Sequence, residues 1–139
     1  MAITQAMATS FKAEILDEQH DLVADTIKIA LYTSSASLGA STTAYTTSNE
    51  VANGNGYATG GVTLANRAVS TSGTTAFFDS DDPTWTSASF TARGALIYNS
   101  TNGDKAIAVL NFGGDFTVSS GTFRIVFPAA GANAIVTIA

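Results

Sequence analysis

The chain has 139 residues, no cysteine, one histidine and only 12% charged residues, with a mean hydropathy of +0.21. That length gives one domain with one core, and the lack of Cys excludes thiolate nucleophiles, zinc–thiolate sites and iron–sulfur ligation. Charge falls at half the usual share of about 25%, so Thr, Ser, Asn and Gly must cover the surface, and 20 Thr and 14 Ser are present to do so.

The formal charge of −5 is unevenly placed. Residues 1–25 hold Lys12 against Glu14, Asp17, Glu18, Asp21 and Asp25, a net of −4, which leaves −1 for everything after them. A nearly neutral body lacks long-range self-repulsion and tends to associate. Nucleic acid is not expected as a partner, because Lys and Arg nowhere cluster. No run approaches the roughly 18 apolar residues of a membrane helix. The opening MAITQAMATSFKAEIL has neither a basic start nor an unbroken apolar stretch, so neither secretion nor membrane insertion is expected.

In chain order, Phe11, Ile15 and Leu16 recur at helical spacing and predict a helix over 9–20, with Thr9 or Ser10 as N-cap. Residues 1–25 read as an N-terminal arm with this short helix. From residue 26 the period becomes two, and TIKIALYT (26–33) sets Ile27, Ile29 and Leu31 against Lys28, Ala30 and Tyr32. Further strands are expected at 61–69, 74–78, 89–99, 105–112, 121–127 and 133–139. Turns are expected at Ser72-Gly73, Asp82-Pro83, Asn102-Gly103, Gly113-Gly114-Asp115, Ser120-Gly121 and Ala130-Gly131. The pair 93–99 and 105–111 is the clearest hairpin. The fold expected for 26–139 is all-β, a sandwich or jelly roll of about 7–8 strands. Between them, 34–61 is a long small-residue loop anchored by Leu38, Tyr45, Val51 and Tyr57. Loops of that length are functional or disordered, so this one is expected to order on contact with a partner.

Chemistry is sparse. His20 stands among Glu18 and Asp21, and without a Gly-x-Ser-x-Gly elbow it reads as a solvated surface residue. Asp79, Asp81 and Asp82 before Pro83 could form half of a cation loop, but hard cations want six or more oxygens and the plainer reading is a turn. Trp85 is either a stacking platform for a glycan or a core plug, and its apolar area favours the core. AsnGlyAsnGlyTyr (53–57) and GlyGlyAsp (113–115) lack the P-loop lysine and read as turns. No catalytic residue, metal site or cofactor is expected.

Several blocks carry a resemblance: LysIleAlaLeuTyrThrSerSerAlaSerLeu (28–38), ThrThrAlaTyrThrThrSerAsnGluVal (42–51), GlyTyrAlaThrGlyGlyValThrLeu (56–64), ThrAlaArgGlyAlaLeuIleTyrAsn (91–99) and AlaValLeuAsnPheGlyGlyAsp (108–115). In their order, from about Phe11 to the C-terminus, they resemble a family of small bacteriophage virion proteins. The resemblance implies a non-enzymatic structural protein of the particle, assembled in the bacterial host cytoplasm. Within that family it implies a head decoration or cement protein, with a tail, collar or fibre-associated component as the alternative. The partners implied are the major capsid protein and further copies of the chain, as a homotrimer. Phe11, Ile15, Leu16, Tyr45 and Tyr57 are then the candidate contacts with capsid or subunit, and the acidic segment 1–25 is a candidate foot on the shell. A carbohydrate-binding attachment module using Trp85 is a further alternative, and a virion enzyme has no residues to name.

Overall fold

In the computed structural model, which describes residues 2–129, 131 and 134–138, the change of period near residue 25 is a change from helix to sheet. Helix α1 spans Thr9–Leu16 and so stops short of the expected residue 20. Its N-cap is Ala8 with no side-chain cap bond, so neither Thr9 nor Ser10 plays that part. At its other end Asp17 and Glu18 meet the carbonyl terminus, where the macrodipole disfavours acids. The chain leaves the helix there, with Glu18 at a left-handed φ of 58°.

The strands are β1 (Ala6–Met7), β2 (Ile27–Tyr32), β3 (Val62–Thr63), β4 (Ala68–Ser72), β5 (Thr75–Asp79), β6 (Thr84–Asn99), β7 (Lys105–Arg124) and β8 (Val136–Ile138). They form two antiparallel sheets, ordered β1-β7-β6-β2-β3 and β4-β5-β8. The fold is all-β and sandwich-like with one short helix, as the pattern predicted. With five and three strands, the paired four-stranded sheets of a jelly roll are not seen among the described residues.

Boundaries moved where turn residues turned out to lie inside strands. The expected strands 105–112 and 121–127 fuse into one β7, and 89–99 extends back to Thr84. Gly113-Gly114-Asp115 and Ser120-Gly121 lie within β7, and the β6–β7 register shifts between Ala92 and Gly94 and again between Trp85 and Phe90. Such shifts are bulges, which bend a ribbon. The expected 61–69 splits into β3 and the start of β4, with Asn66 at φ 52° between them. Of the expected 133–139, Asn133 and Ala139 lie outside the described residues, as does Ala130 of the expected Ala130-Gly131 turn.

β2 does not have one wet face. Every residue of it but Lys28 is buried. The pairing of Lys28 with Tyr98, Ala30 with Leu96 and Tyr32 with Gly94 puts these side chains on one face of the sheet. The loop 34–61 lies over that face. Ile27, Ile29 and Leu31 share the other face with Asn99, Ile97 and Ala95, and there Asn99 meets His20.

Residues 2–25 are part of this body rather than a separate arm. Ile3 bridges to Leu38, β1 pairs with β7 through Ala6–Val109 and Met7–Ala108, and Ala8, Phe11 and Leu22 are buried. Ile3, Ala8, Phe11 and Leu22 are spent on the core, while Leu16 and Val23 stay exposed. The described residues include no helix long and apolar enough to cross a membrane.

Candidate functional site

His20 is buried, contrary to its reading as a solvated residue, because a strand far along the chain supplies its partner. Asn99 Oδ1 accepts from the backbone N–H groups of Thr101 and Asn102, at 3.1 and 3.2 Å, which fixes the orientation of the amide. Its Nδ2 therefore donates, to His20 Nδ1 at 3.1 Å and to Asp25 Oδ2 at 2.8 Å. An imidazole whose Nδ1 accepts carries its proton on Nε2, and Nε2 lies 3.0 Å from Glu14 Oε1. Both ring nitrogens are thus committed, and the ring lies tilted by 59° against Phe11, with centroids 4.9 Å apart. The Asn99 amide, with the Asp21 N–H beside it, holds the Asp25 carboxyl below the usual carboxylate range. Arg67 completes the clamp by donating to the carbonyls of Leu22, Val23, Asp25 and Leu64 at 2.6–3.1 Å. A dyad that looks like chemistry on paper is a rivet between the helix end and the sheet.

The second polar cluster fastens the loop 34–61 and gathers all four tyrosines around Glu50. Tyr45 Oη donates to Glu50 Oε1 at 2.6 Å, while Tyr57 Oη at 2.5 Å and the Gly60 N–H at 2.7 Å reach Oε2. Tyr57 Oη also accepts the Leu31 N–H at 3.0 Å. Tyr32 and Tyr98 donate to the carbonyls of Thr46 and Gly60, both at 2.6 Å, and Tyr45 stacks on Tyr98 with centroids 4.6 Å apart. Burial, reinforced by nearby negative charge, pushes Tyr98 up to about 12 and raises Tyr32, Tyr45 and Tyr57 as well. At the loop's end Gly61 holds a φ of 80° against the Ile29 carbonyl, a position with no room for a Cβ. The loop's partner is its own sheet.

Trp85 is buried, its ring 5.8 Å from Phe123 and 6.4 Å from Tyr57 by centroid. The core reading of this residue holds, and the indole face is not displayed for a sugar. Of the acids before Pro83, Asp79 has a buried Oδ1 with no hydrogen-bond partner, and the other two are tied up singly. Asp81 Oδ2 accepts from Asn66 Nδ2 at 2.5 Å, and Asp82 accepts the Phe127 N–H at 2.9 Å and Arg124 at 2.8 Å. The Phe127 N–H, then Arg124, lowers the Asp82 carboxyl below its usual range. Among the described residues no group of three or more His, Cys, Asp or Glu side chains could hold a metal ion.

What remains open is surface. Beyond Gly94 and Asn111 the two long strands leave the sheet as a two-stranded ribbon, β6 84–92 against β7 116–124. Its bulges curl it so far that Phe112 and Phe123, eleven residues apart in sequence, have centroids only 6.0 Å apart. Gly113, at φ 82°, makes the bend where β7 gains residues over β6. Phe90, Phe112, Phe116 and Phe123 cluster inside the curl. A shallow cleft of about 260 Å3 among Phe112, Phe116, Phe123, Ile125 and Val126 opens to solvent, with Phe116 53% and Val126 72% exposed. Sequence reading missed this patch because Gly113-Gly114 looked like the end of a strand.

Of the candidate contact residues, Phe11 and Tyr57 are buried in the core and offer nothing to a partner. Ile15 packs partly against the core, and Tyr45 is half-buried on Glu50. Leu16 alone stands clear, 87% exposed. Comparison with protein-family models, with curated proteins and with solved structures finds no match to this chain.

Proposed function

We propose that the chain is a bacteriophage head decoration protein, a symmetric oligomer that binds the outer capsid lattice and stabilises the shell. The observation that carries this reading is the curled ribbon. A two-stranded ribbon is marginal on its own, and this one displays Phe116, with Val126 exposed just past its end, on a Thr- and Ser-rich, weakly charged body. Exposed apolar patches of this kind mark contact surfaces. The polar clusters of the interior are consumed in holding the fold, so the chain offers surfaces and no catalytic constellation is proposed. The block pattern resembling small virion proteins points the same way.

Copies joined through their ribbons about a symmetry axis, as a homotrimer, present several equal contacts to the major capsid protein at once. Linked contacts act at high effective concentration, so overall binding exceeds each contact by about 10²–10⁴. The protein then belongs to the virion, assembled in the host cytoplasm. A tail or collar position is the neighbouring alternative, distinguished by copy number. An attachment module built on Trp85 is disfavoured, since that ring is buried.

The test is sedimentation of the purified chain alone and with particles that lack it. The expected result is a discrete oligomer that saturates the heads and raises the temperature at which they release their genome. A monomer that leaves heads unbound contradicts the reading.

A further inference from the structure

The larger apolar cleft lies elsewhere, between α1, the turn 18–23 and the three-stranded sheet, and encloses about 610 Å3. Its floor is Phe11, Ile15, Phe77 and Phe78. Along its walls Val69 and Ile138 are 54% and 53% exposed. The volume is that of a ligand site, and leaving so much apolar side chain in water is unfavourable by about 25 cal/mol per Å2.

Glu18 and Asp21 line the cleft, and none of its lining residues is a lysine or arginine. Asp17 follows the helix immediately, and Lys12 is the only cation among the first 25 residues. Negative charge is therefore concentrated beside this apolar opening. A second copy docking by this same face would bring its own acids against these, a like-charge contact that costs affinity. An anionic lipid surface is repelled for the same reason.

We infer that this cleft docks a peptide segment of another protein, one that presents large apolar side chains flanked by lysine or arginine. The apolar groups fill the floor between Phe11 and Phe78, and the cations meet Glu18 and Asp21 at the rim. That the segment belongs to a shell subunit rests on the decoration reading; the chemistry of the cleft does not.

The experiment is fluorescence anisotropy of the whole chain with a short labelled peptide of alternating leucine and lysine. Two control peptides carry glutamate for every lysine or serine for every leucine. Val69→Glu and Glu18→Lys alter exposed side chains that make no hydrogen bond, and circular dichroism verifies their folding. The leucine–lysine peptide is expected to bind, to weaken as salt is added, and to lose about tenfold or more in affinity with either variant; neither control binds comparably. No binding, equal binding of the glutamate peptide, or affinity indifferent to both variants overturns the inference. So does a change in oligomer size with Val69→Glu, which would assign the cleft to a second copy. Should a variant misfold, salt dependence and the control peptides on the unaltered chain still decide. Failure here leaves ribbon-mediated assembly and head binding standing, whereas peptide binding by a chain that never reaches particles would sink decoration and keep the cleft.

Discussion

The two halves of the β6–β7 hairpin share one turn and one pair of strands, yet they do different work. Near the Asn102-Gly103 turn, Ala95–Asn99 and Ala106–Val109 are buried, with β2 and β1 on either side and the loop 34–61 on top. Past the bulge at Phe112–Asp115 the same strands have only each other as ladder partners; Trp85, Ala88 and Ala92 are still buried there, while Phe116 stands 53% exposed. The proximal half holds most of the buried strand residues, and the distal half is the one we propose joins the molecule to others. Pairing is interrupted at that bulge and resumes from Ala92–Phe116 to Thr84–Arg124, so the same two strands tie the ribbon to the sheet.

Perturbations should separate the halves. The largest effect is expected from Leu96→Ala in the buried half, a loss of about 2–5 kcal/mol in denaturant unfolding; a loss below about 1 kcal/mol would mean that half is not the core. Next, Glu50→Gln weakens the acceptor of three donors and costs about 1–3 kcal/mol, with the loop 34–61 gaining protease sensitivity before the sheets unfold. If cleavage there is unchanged, the tyrosine cluster does not hold the loop.

Titration gives smaller steps at both ends of the pH scale. Tyr98 has a folded-state pKa above its ordinary 10.0, so its contribution is complete below pH 10 and disappears as pH rises through about 12. Melting temperature should accordingly fall over that interval, and Tyr98→Phe should flatten part of the fall. Asp82 is shifted the other way. Its contribution is present above the ordinary carboxylate value of 3.8 and is lost as pH drops through its lower folded value. Asp82→Asn should remove that acid dependence and loosen the segment at Phe127, read by hydrogen exchange of its amide. The smallest effect on stability belongs to the distal half: Phe116→Ser changes unfolding by no more than about 0.5 kcal/mol, while the oligomer dissociates. Large destabilisation with assembly intact would reverse the assignment of the two halves.

The sequence told the proximal half plainly, because alternation and an Asn-Gly turn are local signals. The distal half was hidden because Gly113-Gly114 and Ser120-Gly121 read as chain punctuation, and only pairing with β6 shows that the strand runs on through them. His20 was misread for a related reason. Its sequence neighbours are acids, but the group that buries it, Asn99, is 79 residues away. Glu50 gave no periodic signal either, since its three donors are brought together by loop closure. The helix was foreseen and its length was not, as the acids at its end favour unwinding over continuation.

The central claim, that the ribbon makes this chain a repeating element of a viral head, is tested most directly by quantitative mass spectrometry of purified particles. A copy number in fixed proportion to the major capsid protein, in the hundreds, is the predicted result; absence from the particle, or a handful of copies confined to one vertex, would contradict it.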